Sequence, residues 1–112
     1  MSAADTSWSV NAAPLFAALG DETRLQLLTR LGSQESDITT LSVDAEISRQ
    51  AITKHLSVLC QAGLVMDRKL GRRRLWKLKP RRLDEAKEYL DRIGAQWDEA
   101  LARLADFVES EE

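Results

Sequence analysis

The chain has 112 residues, 44% apolar and 30% charged, enough for one compact domain of a size that often gains stability by pairing. Its apolar runs last only a few residues, against the roughly 20 a membrane-spanning helix needs, and Ser7 to Leu19 is too broken by Ser9, Asn11 and Pro14 to be a secretory signal, so a cytoplasmic location is expected. The net charge of −2 conceals a segregation: Ser48 to Arg82 carries eleven Lys or Arg against one acid, Asp67, while the rest of the chain holds five basic and seventeen acidic residues, so one segment suits a polyanion and the remainder repels it.

In chain order, residues 1–10 are small and polar apart from Trp8, have no period, and read as a flexible arm. Asn11 to Leu19 places Leu15, Phe16 and Leu19 on one helical face, and Gly20 is expected to end that helix as a left-handed cap. Asp21 is placed to cap a second helix with the apolar stripe Leu25, Leu28 and Leu31, closed by Gly32. A polar stretch leads to a short third helix over Ile38 to Glu46, in which Leu41 and Ala45 face a core.

The next segment predicts a helix with two faces. Ser48 is its cap, Ile52, Leu56 and Leu59 recur at i, i+4 and i+7, and Gly63 supplies a left-handed terminus. The other face shows Arg49, Gln50, Thr53 and Lys54, side chains that bond base edges or phosphate in a major groove wide enough to admit a helix. Ordinary solvated helix surface is the plain alternative. With the helix before it, this makes a helix-turn-helix. His55 could bond phosphate, pack at the helix surface or sense pH, with a phosphate contact favoured over a metal, and Cys60, which cannot form an internal disulfide or a thiolate cage alone, reads as a small buried hydrophobe more readily than as a reactive thiol.

Leu64 to Leu70 and Arg73 to Leu78 predict a β-hairpin around Gly71 and Arg72, anchored by Trp76. Its tip, with Lys69, Arg72, Arg73 and Arg74, is too basic for a core and suits a phosphate backbone or a minor groove, which makes it a wing. From Pro80 a long helix carries Leu83, Ala86, Leu90, Ile93, Trp97, Leu101, Leu104 and Val108 at spacings of three and four, a near-heptad seam that exceeds what so small a domain can cover and predicts a partner helix. Tyr89 and Trp97 read as interface core, with an effector pocket as the alternative.

The expected fold is mainly α with a small β-hairpin, a winged helix-turn-helix, with residues 11–80 as the DNA-binding domain and 81–109 as a C-terminal dimerisation helix of the same domain. The expected function is sequence-specific binding of double-stranded DNA. A winged-helix protein-interaction module without specific DNA binding is the alternative. No nucleophile with its base, no paired carboxylates in an apolar setting, no glycine-rich phosphate loop and no metal cluster is visible, so neither enzyme activity nor a cofactor is expected.

This order of elements, with Leu19-Gly20-Asp21-Glu22-Thr23-Arg24-Leu25 and Ser48-Arg49-Gln50-Ala51-Ile52-Thr53-Lys54-His55-Leu56-Ser57-Val58-Leu59, resembles the ArsR/SmtB family of bacterial winged-helix repressors over Pro14 to Val108. The resemblance implies a homodimer through the first and last helices, here Leu15 with Leu90, Ile93, Trp97, Leu101 and Leu104, operator binding by the helix at Ser48 to Gln61, and wings on flanking DNA, and with them a transcriptional regulator that acts as a dimeric repressor of a pseudo-palindromic operator. The chain departs from the metal-sensing founders: Thr40 to Ala45 has no thiol and the last helix no histidine, while one cysteine is too few for the persulfide-sensing branch. Trp97 to Leu104 looks like the metal-free branch. The effector, a small molecule or a protein, stays open, as does repression against activation.

Overall fold

The computed structural model describes residues 12–43 and 45–110, so the arm over residues 1–10 and Asn11 lie outside the described residues. Helix α1 covers 12–19, α2 Glu22–Ser33, α3 Ile38–Ser42 and α4 Arg49–Gln61; strands β1 (Val65–Leu70) and β2 (Arg73–Leu78) form an antiparallel hairpin, and α5 runs Pro80–Ser110. The core lies where the apolar stripes of α1 to α4 meet the base of the hairpin. Leu15, Leu41, Ile52, Leu56, Leu59, Leu64 and Val65 are almost wholly enclosed there, and Trp76, 4% exposed, joins them from β2. Among the described residues no helix is long and apolar enough to cross a membrane.

The helix ends show why the chain folds locally as it does. Ser48 accepts the Ala51 N–H at 3.1 Å and so starts α4. At the other end Leu64 N–H reaches Leu59 O at 2.9 Å and Gly63 N–H reaches Cys60 O at 3.0 Å, the paired closure that requires a left-handed residue; Gly63 provides it with φ of 77°. Gly71 does the same in the two-residue turn of the wing, at φ 63°.

Three helix boundaries differ from expectation. Gly20 is not among the residues of positive φ, because the end of α1 is closed by a side chain: Arg24 donates from Nε to Ala18 O at 2.7 Å and from Nη2 to Ala17 O at 3.2 Å. Arg30 closes α3 in the same way, on Leu41 O at 2.7 Å and Thr40 O at 3.0 Å, so α3 stops at Ser42 and Ala45, expected to face a core, is exposed. Gly32 does not end α2, which continues to Ser33 with Gln34 as its cap.

Helix α5 packs only by its first turns. Ala86 is buried, Leu83 is partly buried against the core, and the Tyr89 ring meets Phe16 of α1 at 5.4 Å between centroids. Beyond Tyr89 most side chains of α5 are exposed among the described residues, with Ile93 and Ala100 partly buried. At about 1.5 Å per residue the 31 residues of the helix reach about 46 Å.

Candidate nucleic-acid interface

The buried stripe of α4 turns its opposite face outward. Ile52, Leu56 and Leu59 lock the helix into the core, and Ser48, Arg49, Gln50, Thr53 and Lys54 are all exposed as a consequence of the 3.6-residue period. Ser57 and Gln61, four and eight residues after Thr53 at the helical period, extend that polar face toward the C-terminus. Arg49 donates from Nη2 to the Thr39 hydroxyl of α3 at 3.2 Å, which ties the two helices of the motif, and the Thr53 hydroxyl donates back to Arg49 O at 2.9 Å. Lys54 forms no ion pair among the described residues.

His55 of this helix lies off the outward row, and Cys60 departs from expectation. His55 is half-buried against the start of α2: its Nδ1 lies 3.3 Å from Arg24 Nη1 and 3.9 Å from Asp21 Oδ1. Asp21 is itself the cap of α2, and the Arg24 backbone N–H that it accepts at 3.0 Å holds its carboxyl below the usual range, with the Arg24 and His55 charges adding to the effect. Cys60 is exposed and not a buried hydrophobe. At about 100° per residue it comes round, eleven residues after Arg49, to within about 20° of the same side, on the polar flank and away from the apolar stripe.

The wing carries its charge less freely than its composition suggests. Lys69 and Arg72 at the tip form no ion pair among the described residues. Arg73 donates from Nε to Asp37 Oδ2 at 3.1 Å, and Arg74 pairs with Asp67 while its guanidinium lies 4.9 Å over the Trp76 ring. Arg68 clasps both oxygens of Glu35, through Nε at 3.0 Å and through Nη2. That clasp lowers the Glu35 pKa and raises that of Arg68, each charge favouring the other. Asp37 falls to about 2, chiefly because its carboxylate accepts the Thr40 backbone N–H and hydroxyl and then Arg73. The bonds to Glu35 and Asp37 join residues 33 and 36 positions apart, and no sequence period signals them.

The residues expected at a dimer seam divide. Leu15 is 1% exposed within the core of its own chain and has no surface left for a partner. Ile93 is partly buried, whereas Leu90, Trp97, Leu101 and Leu104 are exposed; Phe107, one turn beyond Leu104 and outside the seam expected from the sequence, joins them. Among the described residues no three His, Cys, Asp or Glu side chains are grouped so as to hold a metal ion.

The model of the "Bacterial regulatory protein, arsR family" matches residues 21–67, from the cap of α2 through β1 to its Asp67. Over 94 residues the chain is 38% identical to the HTH-type transcriptional regulator Rv2034 of Mycobacterium tuberculosis, covering 84% of this chain and 85% of that protein. It is 33% identical over 88 residues to the transcriptional activator HlyU of Vibrio cholerae, covering 79% of this chain and 82% of HlyU. The solved ArsR-like transcriptional regulator from Rhodococcus sp. RHA1 superposes with a TM-score of 0.78 at 39% identity, over 88% of this chain and 93% of that one. With a polar α4 face, a basic hairpin and relatives of nearly its full length, the chain belongs to the ArsR family of bacterial regulatory proteins and is a winged helix-turn-helix transcriptional regulator that binds DNA.

Proposed function

We propose that the protein acts as a cytoplasmic homodimer that lays α4 of each protomer in successive major grooves of a pseudo-palindromic operator, sets its wings on the flanking backbone, and represses transcription by occluding the promoter. The observation that carries this reading is the exposed row Arg49, Gln50, Thr53 and Lys54 on a helix whose other side is locked into the core. Such side chains hydrogen-bond base edges in pairs, and a rigid helix presents them with no backbone left to order at binding. Lys69 and Arg72 at the wing tip supply the sequence-independent hold on phosphate.

The exposed apolar side of α5 supports the dimer reading. Leu90, Trp97, Leu101, Leu104, Phe107 and Val108 are each more than half exposed along one side of the helix, an apolar strip of a kind that marks an interaction surface. Spacings of three and four make that strip self-complementary, so a second copy of α5 is its partner. Two copies also match the two-fold symmetry of an operator.

Purified protein incubated with fragmented genomic DNA, followed by sequencing of what is retained at moderate salt, tests the reading. Enrichment of a two-fold symmetric site supports it, and the promoter beside the site identifies the target. Uniform retention reduces the protein to a coating of DNA, and no retention favours a protein-interaction module. Transcription from the retained promoter then separates repression from activation, the latter favoured by the likeness to HlyU, named an activator.

A further inference from the structure

The two faces of the wing differ in a way that its basic composition hides. Side chains alternate along a strand, and the pairing of Arg68 with Leu75 and of Leu70 with Arg73 puts Arg68, Leu70, Arg73, Leu75 and Lys77 on one face. On the other edge of β2, Ser36 pairs with Trp76 through backbone bonds of 3.0 and 2.8 Å. Ser36 and Trp76 both turn into the core, so Glu35 and Asp37 turn to the opposite face and meet the arginines there. The segment before α3 thus adds a short third edge to the wing, bearing two carboxylates.

These pairs lie at the surface: the Arg68 and Arg73 side chains remain 47% and 58% exposed. Exposed ion pairs contribute little to stability, and Asp37 caps α3 through Thr40 without needing Arg73, so stability does not account for turning two arginines of a DNA-binding hairpin onto these carboxylates. Carboxylate and phosphate offer arginine the same pair of acceptor oxygens. A guanidinium already clasped by a carboxylate neutralises no phosphate and releases no counterion from DNA.

We propose that Glu35 and Asp37 are built-in counter-anions of the wing, which occupy Arg68 and Arg73 in place of two DNA phosphates and so restrict backbone contact to the tip cations Lys69 and Arg72. This rests on the DNA-binding reading above. Its consequence is specificity: the sequence-independent part of the affinity is held down while the base-reading face of α4 is untouched.

The test is a titration of a mixed-sequence DNA duplex over a range of KCl with the wild type, E35Q, D37N and the double variant. Asn serves as a helix cap about as well as Asp, so D37N keeps the start of α3, and thermal melts check the fold. Each single change is expected to steepen the log K against log salt slope by about 0.9 per protomer, and the pair by about 1.8, so that doubling the salt costs the double variant about 3.5-fold more affinity than the wild type per bound protomer, or about 12-fold for a bound dimer. R68Q in the wild-type background is expected to leave the slope where it stands, whereas R68Q added to E35Q is expected to cancel the gain. Unchanged slopes in E35Q and D37N, or weaker binding in both, would overturn the proposal and make the two acids struts of the wing. A slope made shallower by R68Q alone would overturn it as well. If the wild type binds no duplex at any salt, the DNA-binding reading fails together with this one.

Discussion

Replacing Trp97 by Asp is expected to dissociate the dimer without unfolding the winged helix. Trp97 is 64% exposed on the part of α5 beyond Tyr89 and belongs to no part of the core. A tryptophan side chain buries about 150–250 Å² when fully covered, so roughly 100–160 Å² remains for a partner on each protomer. At about 25 cal/mol per Å² that surface is worth about 2.5–4 kcal/mol per copy, and two-fold symmetry doubles it. Ordering and desolvation costs consume part of any such figure; halving it leaves about 3 kcal/mol, or a dissociation constant raised about 100-fold, before the cost of burying the new carboxylate is added. Sedimentation velocity over a concentration series, with wild type and variant side by side, reads this shift directly. The far-UV helix signal separates dissociation from unfolding. A Trp97→Asp protein that sediments as a dimer with the wild-type dissociation constant would refute the α5 seam.

Arg49→Ala is expected to weaken binding to the retained operator about tenfold or more, the scale of one bidentate base contact, while the melting temperature barely moves; equal affinity in a fluorescence titration would remove Arg49 from the base-reading set. Gly63→Ala should destabilise the fold by about 1–2 kcal/mol, because Gly63 sits at φ 77° and a Cβ there would meet Arg82 Cγ at 3.0 Å. Denaturant unfolding measures that loss. Acid should act through Asp37, whose pKa is lowered from 3.8 to about 2 by the Thr40 and Arg73 bonds: a depressed folded-state value contributes stability above pH 3.8 that is lost as pH falls through about 2. Glu35 and Asp21, also lowered, act in the same direction. Melts of D37N between pH 4 and pH 2 should show a shallower acid limb than the wild type, and parallel limbs would exclude Asp37 as a source.

The features legible in the chain itself are those whose cause lies within a few residues. Ser48 caps α4 because its hydroxyl reaches a backbone N–H three positions on, Gly63 closes the helix because only the left-handed region completes that turn, and Ile52, Leu56 and Leu59 face inward because the helix has 3.6 residues per turn. The same locality made the hairpin, the start of α5 at Pro80 and the polar α4 face readable. What tertiary structure alone decided are the partners brought together from far apart. Arg24 and Arg30 end α1 and α3 from another helix, His55 sits at the cap of α2, and Leu15 is spent in its own core. Arg68 and Arg73 find Glu35 and Asp37 across 33 and 36 residues because the Ser36 bridge to Trp76 aligns a third edge with the wing. A sequence period gives the direction of a side chain relative to its own helix or strand, but which charge stands opposite is settled by how those elements pack.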